Sequence, residues 1–135
     1  MNKSRFQFKN PELEKVSFVV NQEYNEQFFE GISMESKTEV KVLDEVNAYV
    51  VLTLHIGEEG EKQPFDIVIR MSAEFFWEES LEESTVKVLL KSNAPAALLS
   101  YIRPLVSMIT MSSKYPALNL PFMDFTKNEV EDVQE

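Results

Sequence analysis

The central part of the chain alternates between apolar and polar residues with a period of two. Three segments show this alternation, residues 32–42, 48–56 and 64–76, and it is typical of strands with one buried face. Asp44, Glu45 and Asn47 form a turn between the first two segments, and the charged, glycine-bearing residues 57–62 separate the second from the third. The pattern predicts an antiparallel meander of three strands.

The segments on either side of this meander are less regular. Residues 5–9 and 16–20 have β-like sequences, and Asn10-Pro11 breaks the chain between them. We expect them to add one irregular strand, which makes a four-stranded sheet. After Trp77 comes an acidic crossover, and residues 84–91 are ambiguous between strand and helix. The spacing of Leu81, Val88 and Leu89 favours a short helix there.

Residues 94–112 carry apolar side chains at helical spacing. Asn93 is a suitable N-cap with Pro95 in the first turn, and Pro104 is expected to kink the helix. The predicted core stripe is Leu98, Ile102, Leu105, Val106 and Ile109, and a second apolar line contains Tyr101, Met108 and Met111. The fold class is therefore α+β, an antiparallel four-stranded sheet with a long C-terminal helix on one face.

A helix that is apolar on two sides needs a second cover besides the sheet. We expect that cover to be another copy of the chain, in a homodimer or homotetramer, with Met108 and Met111 as candidate interface residues. An apolar segment, residues 117–122, follows the helix and also needs cover. The acidic residues 126–135 are expected to form a mobile tail or a short helix.

Composition narrows the class of protein. The 135 residues predict a single domain, residues 1–135, and they are 44% hydrophobic with ten Phe. A net charge of −10 argues against nucleic acid and against anionic membrane surfaces as partners. The N-terminus does not resemble a signal peptide, and no window reaches 18 consecutive apolar residues. With no Cys, these features predict a soluble cytoplasmic protein with no membrane insertion.

Side chains suited to catalysis are scarce. His55 is the single histidine, and with no Cys a zinc site is not expected. Gly31, Gly57 and Gly60 are the only glycines, which excludes a glycine-rich phosphate loop and a nucleophile elbow. The sequence therefore predicts no catalytic residue, no cofactor and no metal, and we do not expect an enzyme.

Apolar surface is the remaining candidate for function. In Phe75-Phe76-Trp77 at least one ring must point away from the core, because neighbouring strand residues face opposite sides. Phe28-Phe29 lies in a polar setting between two strands. Either a loop or helix covers these rings, or they line a groove for apolar ligands or peptide. The candidate groove residues are Phe28, Phe29, Phe76, Trp77 and Tyr101.

Two short motifs in the last third of the chain resemble the signature of the SecB family of export chaperones. They are Tyr101-Ile102-Arg103 and, twelve residues later, Tyr115-Pro116-Ala117-Leu118-Asn119-Leu120-Pro121, with Phe125 as the phenylalanine beyond the second motif. The resemblance covers most of the chain after about residue 30. It implies a SecB-like fold, a dimer of dimers with helices packed between sheets, and an ATP-independent holdase for unfolded or export-bound polypeptides. It also makes the SecA translocation ATPase a candidate partner, although no docking residue carries over.

Three interpretations remain open at this point. The first is a holdase chaperone for unfolded chains or preproteins. The second is a non-chaperone interaction module with one specific protein partner, including a SecB-like protein associated with a toxin–antitoxin system. The third is a binder of small apolar ligands in a groove between helix and sheet. Aggregation of several unrelated clients would be suppressed by a holdase and not by a specific module.

Overall fold

The computed structural model describes residues 1–133 of the chain. Six strands and one long helix follow one another along the sequence. In chain order the elements are β1 (Phe6–Phe8), β2 (Glu12–Val20), a 3-10 turn (Glu26–Phe28), β3 (Met34–Val42), β4 (Asn47–Gly57), β5 (Phe65–Trp77), α1 (Glu83–Val88), a π-helical turn (Leu89–Asn93), α2 (Ala94–Met111) and β6 (Val130–Asp132).

The sheet is built on the antiparallel meander β3–β4–β5, which the alternation predicts to within two residues at each end. β1 and β2 both pair antiparallel with β5, so they share the position expected for one irregular strand. Asn10 and Pro11 interrupt them because proline cannot donate to a ladder. The predicted α+β class, with an antiparallel sheet and a C-terminal helix on one face, is confirmed.

The core lies between one face of the sheet and α2. The inward-facing residues of β4 and β5 are all buried, as the period of two predicts: Ala48, Val50, Leu52, Leu54, Ile56, Phe65, Ile67, Ile69, Met71, Ala73 and Phe75. Val51 and Ser72, which face the other way, are buried as well. The helix contributes Leu98, Ile102 and Val106, all fully buried. Buried apolar area of this kind is the main stabilising contribution to the fold.

Asn93 is not an N-cap, contrary to the expectation. Its backbone is helical (φ −75°, ψ −36°) and its side chain caps nothing, because the helix runs without a break from Glu83 to Met111. A proline inside a helix loses an N–H donor and clashes with the carbonyl four residues earlier. The wider π-helical turn makes room for Pro95, and the carbonyl of Lys91 accepts a 3.1 Å hydrogen bond from Asn128 Nδ2 instead.

The buried stripe of α2 also differs slightly from the prediction. Leu105 and Ile109 are only half-buried, whereas Thr110 is fully buried. The Thr110 hydroxyl donates to the Val106 carbonyl (2.8 Å) and accepts from the Leu118 amide (2.7 Å). A buried hydroxyl is tolerated here because both of its hydrogen-bonding roles are used.

The continuous helix Glu83–Met111 has 29 residues, and by length and composition alone it is apolar enough to cross a membrane. This differs from the expectation of no such segment, because the helix was expected to begin only at residue 94. A helix in the core of a soluble protein meets the same criterion. Here one face of the helix packs against the sheet, so the finding is weak evidence for a membrane.

The acidic C-terminal segment is more ordered than expected. Val130–Asp132 form β6, which pairs in parallel with Thr38, Glu39 and Val40 of β3. Neither a helix nor a free tail describes these residues, because Asn128 Nδ2 donates to the Thr38 hydroxyl (2.9 Å) and holds the chain at the sheet edge. The last two residues of the predicted tail, including Glu135, lie outside the described part of the chain.

Candidate functional site

The segment after α2 is tied to the helix by the residues that carry the family resemblance. Arg103 Nε donates to the Leu120 carbonyl (3.0 Å), and the Ser107 hydroxyl lies 2.8 Å from Asn119 Oδ1. Leu120 and Phe125 are buried against the core, so the apolar segment covers part of the helix. Phe122 is the exception, since it is 89% exposed with the Arg103 guanidinium 4.7 Å above its ring.

A first aromatic row, made of Phe6, Phe8, Phe75, Trp77 and Tyr101, lies on the helix-covered face of the sheet. Successive ring centroids are 5.4–6.2 Å apart, in the order Trp77, Phe6, Phe75, Phe8 and Tyr101. Only Phe75 is fully buried, while Trp77 is half-buried and Tyr101 is 47% exposed. Phe6 and Phe8 are also half-buried, so the row is buried at its centre and becomes accessible toward both ends, most of all at Tyr101.

A second aromatic row, made of Phe18, Phe65, Tyr115, Tyr24 and Phe29, lies at the opposite end of β5. Neighbouring centroids are 5.9–6.1 Å apart. The loop that carries Phe28 and Phe29 is fixed by the Asn25 side chain, which accepts from the Gln27 amide at 3.0 Å. Both phenylalanines remain exposed, Phe28 more than Phe29, so a fixed loop presents them to solvent.

The five candidate groove residues do not form one site. Phe65 and Trp77 are the first and last residues of β5, so the two aromatic rows are separated by about 40 Å along the strand, at roughly 3.3 Å per residue. Phe76 lies on the opposite face of the sheet from Phe75 and is exposed. The structure thus places Trp77 and Tyr101 in the first row, Phe28 and Phe29 at the second, and Phe76 apart from both.

The outer face of α2 is an exposed apolar stripe. Tyr101, Met108 and Met111 are 47%, 56% and 65% exposed. Pro104 is also exposed, and Arg103 is the only charged residue between positions 92 and 113. The two candidate interface residues therefore lie on the surface turned away from the core, which is where an interface would require them.

The open face of the sheet carries a polar network, beside a small pocket of about 210 Å³. Arg70 contacts Glu14 (2.9 Å) and Glu39 (3.2 Å), and the Tyr49 hydroxyl lies 2.7 Å from both Glu14 and Ser72. Burial acts to raise the pKa of Glu14, but hydrogen bonds from Ser72, Tyr49 and Arg70 and the Arg70 charge outweigh it, so that the pKa lies below its ordinary value. The carboxylate is held ionised and paired, which suits structure better than proton transfer.

His55 lies on the same open face, 2.6 Å from Asp66. Within residues 1–133, no nucleophilic side chain is hydrogen-bonded to the His55–Asp66 pair. Among residues 1–133, no group of three or more His, Asp or Glu side chains could hold a metal ion. The arrangement offers ion pairing and not an evident reaction centre.

A surface channel, formed by two adjoining pockets of about 740 and 620 Å³, follows the α1 end of the helix. Val42, Lys87 and Leu90 line both pockets, and Trp77 lies in the second. The remaining lining of the first is Val40, Lys41, Lys91, Val130, Asp132 and Val133. Sequence reasoning missed this channel, because it depends on the position of β6 and on the unbroken helix. The one feature of the sequence that could have indicated the channel is the i, i+4 spacing of Lys87 and Lys91, which places both lysines beside Leu90 on one side of a helix.

Comparisons with known proteins agree with the fold. The profile of a family described as "Preprotein translocase subunit SecB" matches residues 6–131. Protein-export protein SecB of Anaplasma marginale (strain Florida) is 34% identical over 77 residues, 56% of this chain and 44% of that protein. SecB of Anaplasma phagocytophilum (strain HZ) is 35% identical over 80 residues, 57% of this chain and 51% of that protein. The matched stretch spans about half the length of these relatives.

Two solved structures share the fold. A SecB-like chaperone of Mycobacterium tuberculosis, in complex with a ChAD peptide from the HigA1 antitoxin, superposes with a TM-score of 0.69 at 18% identity, covering 89% of this chain and 91% of that one. A Streptococcus agalactiae protein of unknown function gives a TM-score of 0.52 at 17% identity, covering 87% and 97%. With the family profile matching nearly the whole chain, the chain belongs to the SecB family of export chaperones.

Proposed function

We propose that this protein is an ATP-independent holdase that binds unfolded or export-bound polypeptides in the cytoplasm. Membership of a chaperone family supports this role. The observation that carries the proposal is the distance between the exposed aromatic side chains. A single occupant that reaches from the Trp77 end of β5 to the Phe65 end, where the second aromatic row lies, must span about 40 Å along the strand, which is roughly a dozen residues of extended chain. A small-molecule ligand is too short to span this distance, whereas an unfolded polypeptide is long enough.

The binding surface in this proposal consists of the accessible ends of the two aromatic rows. Tyr101 and Trp77 would receive apolar side chains at one end, and Phe28 and Phe29 at the other. Phe76, on the open face, would add a contact only for a chain that passes around the edge of the sheet. Separate apolar patches joined by polar surface suit clients of varied sequence, because no single register has to be met.

The working form in this proposal is a homo-oligomer, dimer or tetramer. The outer face of α2 is the candidate interface, because Met108 and Met111 are large, apolar and exposed. Exposed apolar surface of this kind on a soluble chain is expected to be covered by a partner surface. Association through a two-fold axis would pack the stripe against its own copy.

The deciding experiment measures suppression of aggregation for two unrelated unfolded clients at near-stoichiometric ratios. Suppression of both supports a holdase. A double substitution Phe28→Ser, Phe29→Ser should weaken suppression without lowering the melting temperature much, since both rings are exposed. Val19→Ser on β2, which is also exposed, serves as the matched control. Suppression of neither client by the folded wild-type protein would contradict the proposal.

Two alternatives give different outcomes in the same experiment. An interaction module would leave both clients unprotected and bind one specific protein, of the kind that the antitoxin peptide represents for the mycobacterial relative. A binder of small apolar ligands is favoured by the 740 Å³ pocket, a volume typical of such sites. A binder of this kind should show a melting temperature that rises when a fatty acid is added, and it should not suppress the aggregation of either client.

Direct binding of the protein to purified SecA tests SecA as a candidate partner.

A further inference from the structure

We propose that the outer edge of β3, beside the channel, is a binding site for an extended acidic–apolar segment of a partner protein, and that β6 occupies this site as the chain's own competitor. The chemistry of the partner segment is read from β6 itself: an apolar residue followed by two acidic residues. The edge of β3 and the first pocket of the channel contain none of the aromatic-row residues, although Trp77 lines the second pocket. The proposal therefore does not rest on chaperone activity.

Within residues 1–133, β6 pairs with only part of the edge of β3. β3 has nine residues, and β6 pairs with three of them, Thr38, Glu39 and Val40. One further backbone bond, from the Val133 amide to the Val40 carbonyl (2.9 Å), extends the ladder. A longer segment could pair along more of β3 and form more backbone hydrogen bonds, which is how extended peptides add to an exposed sheet edge.

The side chains around β6 specify the partner's charge. Glu131 lies 3.3 Å from Lys37 Nζ, and Asp132 lines the same pocket as Lys87 and Lys91. Val130 packs against the core beside these groups. In a chain with a net charge of −10, the first pocket is locally rich in lysine, which favours an acidic segment over a basic one at that position. The adjoining pocket is lined by Asp44, Glu45, Glu79 and Glu83, so this preference is confined to the first pocket and to Lys37.

One polar side chain, Asn128, links the segment that leads into β6 to both the sheet and the helix. Asn128 Nδ2 donates both to the Thr38 hydroxyl (2.9 Å) and to the Lys91 carbonyl freed by the π-helical turn (3.1 Å). These two bonds join the segment to the sheet and to the helix at once. Losing them should open the edge of β3 without removing any apolar side chain from the core, because Asn128 is only partly buried.

The test is the affinity of the full chain for a fluorescein-labelled synthetic peptide with the sequence of residues 126–133, measured by fluorescence anisotropy. Asn128→Ala weakens the internal competitor, while the peptide keeps its own asparagine. The variant should therefore bind the peptide about tenfold more tightly than the wild type. Asn25→Ala, an equivalent substitution in the distant 3-10 turn, should bind like the wild type. Circular dichroism checks that each variant folds, and Val130→Ser replaces Asn128→Ala if that variant does not.

A charge-reversal pair tests the register. Lys37→Glu in the Asn128→Ala background should weaken binding, and replacing the glutamate equivalent to Glu131 in the peptide by lysine should restore it. Equal affinity of the wild type, Asn128→Ala and Asn25→Ala would overturn the proposal. So would equal affinity of the original and the lysine-substituted peptide for the Lys37→Glu, Asn128→Ala variant, in which the internal competitor is the same for both peptides. If Asn128→Ala instead forms a larger, concentration-dependent oligomer that excludes the peptide, the occupant is a second copy of the chain and the partner assignment is wrong.

Discussion

Both faces of α2 carry large apolar side chains, but the two faces have different environments. Toward the sheet lie Leu98, Ile102 and Val106, which are fully buried, and toward the outside lie Met108 and Met111, which are more than half exposed. Both sets recur at helical spacing, so periodicity shows that each is a coherent face without showing which one the sheet covers. Only the assembled sheet decides this, because it can cover one side of a helix and no more.

This difference leads to the largest expected effect. Ile102→Ala should destabilise the protein by about 2–5 kcal/mol, the usual result of removing a large buried side chain. Met108→Ala on the outer face should change the stability of the monomer by less than about 0.5 kcal/mol. Urea unfolding with a common m-value measures both. Equal losses for the two variants would mean that the outer face is as covered as the inner one.

Association is the next expected effect. Met108→Asp with Met111→Asp should dissociate the oligomer while leaving the chain folded, since a charge in an apolar interface is costly and at an exposed position is not. Light scattering at micromolar concentration measures the mass, and circular dichroism measures the fold. Ser100→Asp, at an exposed position nearer the middle of α2, is a control for added charge. A wild-type mass of 15.6 kDa would contradict the expected oligomer directly.

The parts of the fold that sequence predicted are those governed by local period. β3, β4 and β5 alternate over nine or more residues, so their faces followed from the pattern. The predicted helix start at Asn93 was wrong, because Pro95 usually marks a first turn. A π-helical turn whose Lys91 carbonyl is bonded by Asn128, 37 positions away, has no local signal in the sequence. β6 is missed for the same reason, since three residues carry no period and their position depends on Asn128.

The candidate site was predicted less completely than the fold. Strand parity assigns Phe76 to the open face, which the structure shows, and Trp77 to the same face as Phe75. The alternation of side chains along a strand gives the face of each residue but no distance between residues. The separation of Phe28 and Phe29 from Trp77 therefore followed only from the register of β5 in the structure. The channel needs side chains from the helix, the edge of β3 and the C-terminal segment together, and no single pattern in the sequence contains all three.

Trp77 is intermediate in burial between Ile102 and Met108 of α2, because its ring is half-buried and stacked 6.1 Å from Phe6. Trp77→Ala should therefore cost less stability than Ile102→Ala while weakening client binding. As the only tryptophan, its fluorescence should also shift when an unfolded client is added. Two results together would place the Trp77 ring in the core and exclude it from the binding surface. The first is a blue-shifted fluorescence spectrum that does not change when client is added, and the second is a loss of stability in Trp77→Ala as large as that in Ile102→Ala.

The smallest expected effect is on the open face of the sheet, which neither a helix nor the proposed interface covers. The pKa of Glu14 lies below its ordinary value of 4.5, so its contribution to stability is fully present above that pH and is lost as the pH falls through the lower, folded value. Melting temperatures from about pH 6 to about pH 3 should fall more steeply for the wild type than for Glu14→Gln. Glu12→Gln, exposed on the same strand, is the control. Parallel curves for the wild type and Glu14→Gln would show that the ionised Glu14 carboxylate gains no stability from its contacts with Arg70 and Tyr49.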